Sequence, residues 1–290
     1  MKPLYTQHST LPFDYIEKKL ALFLKEDNIE KDLSTLFSTK TKDPQTTTDL
    51  IAEEDLIIAG LPIINVMFKN YSIKQYKKEG DICQAGDILC SISAPASVLL
   101  SNERVLLNLI QRTSGIASLT DTYVKTLNSS KTKILDTRKT TPGLRLFEKY
   151  AVSIGGGYNH RFDLYDGVMI KDNHLVIIKN LDSSLIHFKK EHPAKKIQIE
   201  VDTFNQLELI LNSIHTKVDA ILLDNMNKAQ TIQCSQFIRK HAPQCFIELS
   251  GGINLKNILN YQDVDIDGIS IGGLTHQVLS KNIKIEFQQL

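Results

Sequence analysis

Two hydrophobic rhythms divide the chain. In residues 14–26 (DYIEKKLALFLKE), Ile16, Leu20, Leu22, Phe23 and Leu24 recur at helical spacing opposite a lysine-rich face, which predicts a packing helix. The following stretch, 26–38 (EDNIEKDLSTLFS), is polar and reads as turns. Residues 49–98 change period. Short apolar runs (LIIAGLPIINVMF, ILCSISA) are broken at Gly60-Leu61-Pro62, Gly80-Asp81 and Gly86-Asp87, the spacing of hairpins in a small β-rich domain. From Ser101 helical spacing returns, with Ser101 or Asn102 as cap and Leu106, Leu109, Ile110, Ile116, Leu119, Tyr123 and Leu127 as the apolar stripe.

Beyond residue 130 the pattern alternates. Apolar runs at 133–136 (KILD), 166–170 (DGVMI), 197–201 (IQIEV), 220–224 (AILLD), 245–250 (CFIELS) and 268–272 (GISIG) look like buried parallel strands entering loops. A helix is expected between the first two, with Thr140-Thr141 as cap, Pro142 in the first turn, a stripe from Leu144 to Ile154, and Gly155–Gly157 as its stop. Further helical patterns cover 204–213, 229–242 and 254–261. Such alternation requires parallel pairing with right-handed crossovers, and so many repeats favour a barrel over an open sheet. The expected fold is α/β: an incomplete parallel α/β barrel (TIM-like) at 115–276. A smaller N-terminal α+β domain with a hairpin-rich, hammerhead-like sheet occupies 1–114, joined by a returning segment at 277–290.

Composition narrows the function. A formal net charge of +1 in 290 residues excludes a surface built to coat polyanions, so no nucleic-acid partner is expected. The N-terminus lacks an apolar signal region and no apolar run reaches about 18 residues, so no membrane partner and a cytoplasmic location are expected. Cys83, Cys90, Cys234 and Cys245 form no metal-binding spacing and read as buried thiols.

Charge matters instead by position. Within the 36 residues from Asp136 to Lys171 stand Arg138, Lys139, His160, Arg161 and Lys171, beside strand ends and a glycine loop, which suggests an anion site. Barrels carry their functional groups at the C-terminal strand ends. Those ends deliver Asp136/Arg138/Lys139, Lys171, Glu200, Asp224, Ser250-Gly251-Gly252 and Gly272-Gly273, the glycine pairs being suited to a phosphate. KKEGDICQAGDILCSI is similar to the hammerhead of biotinyl and lipoyl carriers, but no modifiable lysine stands in a Met-Lys-Met-like tip.

DTRKTTPGLR, GGGYNHR and IKDNH, in this order and spacing, resemble the quinolinate phosphoribosyltransferase family, the carboxylating nicotinate-nucleotide pyrophosphorylases. SNERVLLNLIQRTSGIASLT resembles the family helix whose arginine reaches the neighbouring subunit's site. In this reading Arg104 sits in a first helical turn, where the dipole disfavours a cation unless an anion is near. The resemblance implies transfer of phosphoribose from 5-phosphoribosyl-1-pyrophosphate (PRPP) to quinolinate, giving nicotinate mononucleotide, carbon dioxide and pyrophosphate, with Mg²⁺ and no organic cofactor. It implies that Arg104 of a partner chain, Arg138, His160, Arg161 and Lys171 contact quinolinate. Lys139, Glu200, Asp224, Ser250, Gly251 and Gly272 then line the phosphoribosyl side, with Gly252 and Gly273 completing the glycine pairs. Lys139, Lys171, Glu200 and Asp224 are the catalytic candidates, and Glu200 and Asp224 the Mg²⁺ candidates, directly or through water. Arg104 acting in trans implies at least a homodimer. Rivals are a nicotinate-specific transferase, a homologue associated with molybdenum uptake, and a non-catalytic phosphate-binding protein. GLTH at 273–276 fits the family, while Gln277 stands where serine is common.

Overall fold

The computed structural model describes residues 3–214 and 217–288. The chain forms two compact units, one of Met1–Gln7, Thr120–Arg145 and Gly157–His276, the other of His8–Leu119, Leu146–Gly156 and Gln277–Leu290. The outermost residues of the expected domains, Met1, Lys2, Gln289 and Leu290, lie outside the described residues. Among the described residues no helix is long and apolar enough to cross a membrane.

The unit that starts at His8 carries α1 (Phe13–Glu26), α2 (Leu33–Thr39), β1 (Gln45–Ala52), β2 (Leu56–Ile57), α3 (Leu61–Met67), β3 (Ser72–Gln75), β4 (Ile82–Cys83) and β5 (Ile88–Pro95). It also carries most of α4 (Ala96–Leu127). Its antiparallel sheet runs C-terminal strand (Ile283–Phe287), β1, β5, β3. The returning segment is thus one edge of this sheet, in register from Ala52↔Ile283 to Thr48↔Phe287.

Three local expectations change here. The polar stretch contains α2, because Asp32 Oδ1 accepts from the Thr35 amide at 3.0 Å and caps it. LPIINVM is helical rather than part of a hairpin. Gly60 takes φ +119° and the Glu79 carboxylate accepts from the Gly60 and Leu61 amides at 2.6 and 2.8 Å, a cap supplied from a distant turn. Finally, α4 begins at Ala96, five residues before Ser101, with Asp43 Oδ1 accepting from the Ser97 amide at 2.9 Å. Arg104 is therefore in the third turn, exposed, and the dipole argument for it lapses.

The other unit holds β6 (Lys133–Leu135), β7 (Gly167–Ile170), α6 (Asp172–Ile177), α7 (Leu181–Glu191), β8 (Lys196–Val201), α8 (Phe204–Ser213), β9 (Ala220–Asp224), α9 (Lys228–His241), β10 (Phe246–Ser250) and β11 (Gly268–Ser270). All six strands are parallel, in the order β6-β11-β10-β9-β8-β7. Tyr158 adds a single parallel bridge to Leu135, and no pairing joins β6 to β7 among the described residues. This is the expected incomplete barrel with a separate antiparallel sheet.

The helices agree less closely. The connection from β7 to β8 contains α6 and α7, which the sequence reading passed over, and 254–261 shortens to a 3-10 turn at Ile258–Tyr261. The helix after β6, α5 (Arg145–Ile154), starts at Arg145, not Pro142, because Gly143 at φ +83° and the Leu144 amide donating to the Thr141 carbonyl (3.0 Å) form a turn first. All but its first residue belong to the unit that starts at His8. There its run Phe147–Val152 is buried throughout, Glu148 pairing with Arg112 at 2.7 Å.

Strand parity sets up the site. Ile197, Ile199, Val201, Ile221, Leu223, Ile247, Leu249 and Ile269 are fully buried on one face. The register places Gln198, Glu200, Asp224, Glu248, Ser250 and Ser270 on the other, so one face of the sheet carries the polar groups.

Candidate active site

The strand ends place most of the expected groups on one edge of the sheet. Arg138 and Lys139 follow β6, Lys171 follows β7, Glu200 and Asp224 end β8 and β9, Ser250 ends β10, and Gly272 and Gly273 follow β11. Because the strands are parallel, all of these lie at their C-terminal ends. Arg104 belongs to the other unit.

The cations after β6 and in the glycine loop share one environment. The Arg138 Nε–H is buried and has no hydrogen-bond partner among the described residues, an unmet demand for an acceptor. Arg161 is buried, its Nη1 donating to the Gly167 carbonyl at 3.1 Å. Burial, and then the nearby charge of Arg138, lower the pKa of its guanidinium. A guanidinium with an unpartnered buried donor, near enough to a second guanidinium to repel it, fits a planar carboxylate, which arginine forks bind through paired hydrogen bonds.

The His160 ring is held by protein partners. The ring is 5% exposed; Nδ1 accepts from the Arg161 amide at 2.7 Å, while Nε2 lies 3.1 Å from Gln198 Oε1. Both nitrogens are thus engaged within the protein, and the backbone amide is held by Asp136 Oδ1 at 2.8 Å. Asp136 is fully buried and also accepts from Asn159 Nδ2 at 2.7 Å, so a β6 carboxylate clamps the glycine loop. Arg145 binds the same two loops, its Nε donating to Thr140 Oγ1 (3.0 Å) and its Nη1 to the Phe162 carbonyl (3.2 Å).

On the opposite strands, Lys171 Nζ donates to Glu200 Oε2 at 2.5 Å, both groups being partly open to solvent. Asn225, at φ +55°, donates from Nδ2 to Asp224 Oδ2 (2.7 Å) and from its amide to the Ser250 carbonyl (2.9 Å). Gly251, at φ +88°, fits against it so closely that a Cβ would lie 2.2 Å from Asn225 Oδ1. Gly252 at φ +65° faces open space. Beside β11, a Cβ on Gly272 would meet Lys139 Cδ and His276 Nε2, each at 3.0 Å, and Thr275 Oγ1 donates to the Lys139 carbonyl at 2.6 Å. The loops after β6 and β11 are therefore one structure, with Gly273 opening the short GLTH helical turn.

No group of three or more His, Cys, Asp or Glu side chains could hold a metal among the described residues. The donor set at Glu200 and Asp224 fits a hard cation that keeps water and phosphate oxygens and takes only one or two protein carboxylates. The sequence reading missed Asn225, Arg145, Gln198 and Glu248. Gln198 and Glu248 carried a faint signal, since each is a polar residue inside an otherwise apolar strand.

Comparison with known proteins agrees with this arrangement. Residues 116–286 match the C-terminal domain and residues 32–114 the N-terminal domain of quinolinate phosphoribosyl transferase. A probable carboxylating nicotinate-nucleotide pyrophosphorylase of Bacillus subtilis is 38% identical over 281 residues, 93% of each chain. The nicotinate-nucleotide pyrophosphorylase structure from Francisella tularensis superposes with TM-score 0.87 at 30% identity, covering 98% of this chain and 100% of that one. The NadC structure from Streptococcus pyogenes gives TM-score 0.86 at 35% identity, covering 97% and 99%. With both domains matched in order and relatives of equal length on the same fold, the chain belongs to the quinolinate phosphoribosyltransferase family.

Proposed function

We propose that the chain transfers the phosphoribosyl group of PRPP to the ring nitrogen of quinolinate, producing nicotinate mononucleotide, carbon dioxide and pyrophosphate in pyridine nucleotide synthesis. The observation that carries this reading is the buried, unpartnered Nε–H of Arg138 beside the Arg161 guanidinium. A dicarboxylate supplies the acceptors that this pair lacks. Lys171, tethered to Glu200, and Lys139, held over Gly272, bring mobile positive charge to the same strand ends.

The chemistry follows from where charge develops. As pyrophosphate leaves, its oxygens gain negative charge and the ribose carbon becomes cation-like; Lys139 and Lys171 stabilise the first, Glu200 and Asp224 the second. Ser250, Gly251, Gly252, Gly272 and Gly273 receive the phosphate, aided by the positive φ of Gly251 and Gly252. Glu200 and Asp224 would hold Mg²⁺, directly or through water, and the ion would supply further neutralisation of the charge on the leaving pyrophosphate. Once the ring nitrogen is alkylated it is cationic and stabilises the electron pair left on the adjacent ring carbon when its carboxylate leaves as carbon dioxide; a proton from solvent then takes that carbon, so no organic cofactor is needed. His160, with its ring engaged in the protein, acts in this reading by setting the Arg161 main chain. Arg104, exposed on α4, completes the site of a partner copy in a homodimer. A cytoplasmic setting is supported by four free, buried cysteines, with burial pushing Cys90 and Cys245 up to about 12 and Cys234 to about 11.

The test incubates the purified protein with Mg²⁺, PRPP and either quinolinate or nicotinate and follows mononucleotide and carbon dioxide. Both products from quinolinate alone are expected; product from nicotinate alone, or ligand binding without turnover, would move the function to a rival. Mixing Arg104→Ala chains with Arg138→Ala chains should restore activity that neither variant has. No restoration on subunit exchange would refute Arg104 acting in trans.

A further inference from the structure

On the polar face of the sheet lies a chain of buried polar groups of which the reaction above uses only His160. Tyr5 Oη donates to Gln198 Oε1 at 3.0 Å, and Gln198 Nε2 donates to Glu248 Oε2 at 2.7 Å. His160 Nε2 lies 3.3 Å from Glu248 Oε2 and 3.1 Å from Gln198 Oε1, with the Tyr5 ring centred 4.8 Å from the imidazole. Exposures of 7% for Tyr5, 0% for Gln198 and 1% for Glu248 mean that water does not settle these hydrogen bonds.

The tautomer of His160 follows from one fixed donor. A backbone amide can only donate, so the Arg161 N–H obliges Nδ1 to present its lone pair. In the neutral ring the proton must then sit on Nε2, where it needs an acceptor. Glu248 Oε2 and Gln198 Oε1 are the acceptors in reach, and Gln198 Oε1 also serves Tyr5. Gln198 is itself oriented by Glu248, which can only accept when ionised. A carboxylate on β10 thereby determines the orientation of an amide on β8 and the proton position on an imidazole in the glycine loop.

We infer that Glu248 is a positioning residue for substrate binding: it fixes His160 as the Nε2–H tautomer, and through Nδ1 fixes the backbone from which Arg161 reaches the anion site. This inference rests on the reading of Arg161 as a quinolinate ligand. Replacing Glu248 with glutamine keeps the shape but lets an amide N–H face Nε2. That favours the Nδ1–H tautomer, which sets two donors against each other at the Arg161 amide.

The test has two independent readouts. In the wild-type protein, ¹⁵N NMR of labelled histidine should show His160 as Nε2–H. An Nδ1–H ring there would overturn the inference without any variant being made. In Glu248→Gln, the His160 signal should move toward Nδ1–H. The KM for quinolinate should rise roughly ten- to hundredfold, the scale of a small misplacement of a binding group, with the KM for PRPP within about twofold. Glu248→Asp, which keeps the charge, should recover part of the loss. Equal rises in both KM values, or an unchanged tautomer and quinolinate KM, would reduce Glu248 to a packing role. A wild-type protein that shows Nε2–H but no quinolinate turnover would instead overturn the functional reading and with it the link to binding.

Discussion

At the N-terminal ends of the parallel strands, Asp219 accepts from Lys189 Nζ (2.7 Å), Lys196 Nζ (3.0 Å) and the Ile197 amide (2.9 Å). Asp267, 2% exposed, likewise accepts from Arg239 Nη2 and the Ile247 amide, each at 2.8 Å. At the C-terminal ends, Arg138 keeps a buried donor without a partner among the described residues, and its charge, after burial, lowers the pKa of the Arg161 guanidinium. One sheet thus ties these charges together at one end of the strands, while at the other Lys171 pairs with Glu200 but Arg138 keeps a donor without a partner among the described residues. Pairing at the first edge serves stability; at the second, the proposed function makes the substrate the partner that Arg138 lacks.

The sharpest way to break this contrast is Arg138→Ala. It should lower kcat/KM for quinolinate by roughly two to three orders of magnitude, the scale of removing one preorganised electrostatic group. The melting temperature should stay level or rise, because the substitution relieves repulsion with Arg161 and an unpaired buried donor. A well-folded variant with near-wild-type kinetics would remove Arg138 from the site.

Gly251→Ala comes next. Its φ of +88° and the 2.2 Å approach of a new Cβ to Asn225 Oδ1 should cost roughly 2–3 kcal/mol in chemical denaturation. Because the Asn225 amide also holds the Ser250 carbonyl, the KM for PRPP should rise more than that for quinolinate. An unchanged PRPP KM would confine this turn to a structural role.

How legible these edges were depends on how local their causes are. The six strands were readable because buried parallel strands are continuous apolar runs, and their polar ends already singled out Glu200, Asp224 and Ser250; that these share a face follows only from the register of the folded sheet. The conformation of LPIINVM was not readable, since its cap comes from Glu79 across a turn. The role of His160 was not readable either: GGGYNHR looks alike whether the ring faces a ligand or Gln198 and Glu248, and only the tertiary structure brings β8 and β10 under it. Arg145 looked like part of a motif, while its hydrogen bonds show that it joins two loops.

Asp219→Asn tests the paired edge. Burial alone would raise the pKa of this carboxyl, but Lys189, the Ile197 amide and Lys196 outweigh it and hold the group below the usual aspartate range. A depressed folded-state pKa means that the stabilisation is fully present above the unfolded value of about 3.9 and is lost as pH falls through the folded value. The variant should lose about 1–2 kcal/mol at neutral pH, with the difference from wild type shrinking in strong acid and kcat/KM unchanged. A loss of activity without loss of stability would erase the distinction between the two edges.

The smallest effect belongs to Lys131, which pairs with Asp265 at the same edge but is about half exposed, as is its partner. Position at the stable edge is not enough for a charge to matter; water must also be excluded, or solvation and side-chain entropy cancel most of the attraction. Lys131→Ala should therefore change stability by no more than about 0.5 kcal/mol, and moderate salt should reduce even that difference. Asp265 keeps Arg239 Nε at 3.3 Å, so it is not left alone when the lysine is removed. If Lys131→Ala instead cost as much as Asp219→Asn, burial would not be what separates structural from incidental pairs at this edge, and the contrast would have to be redrawn on charge alone.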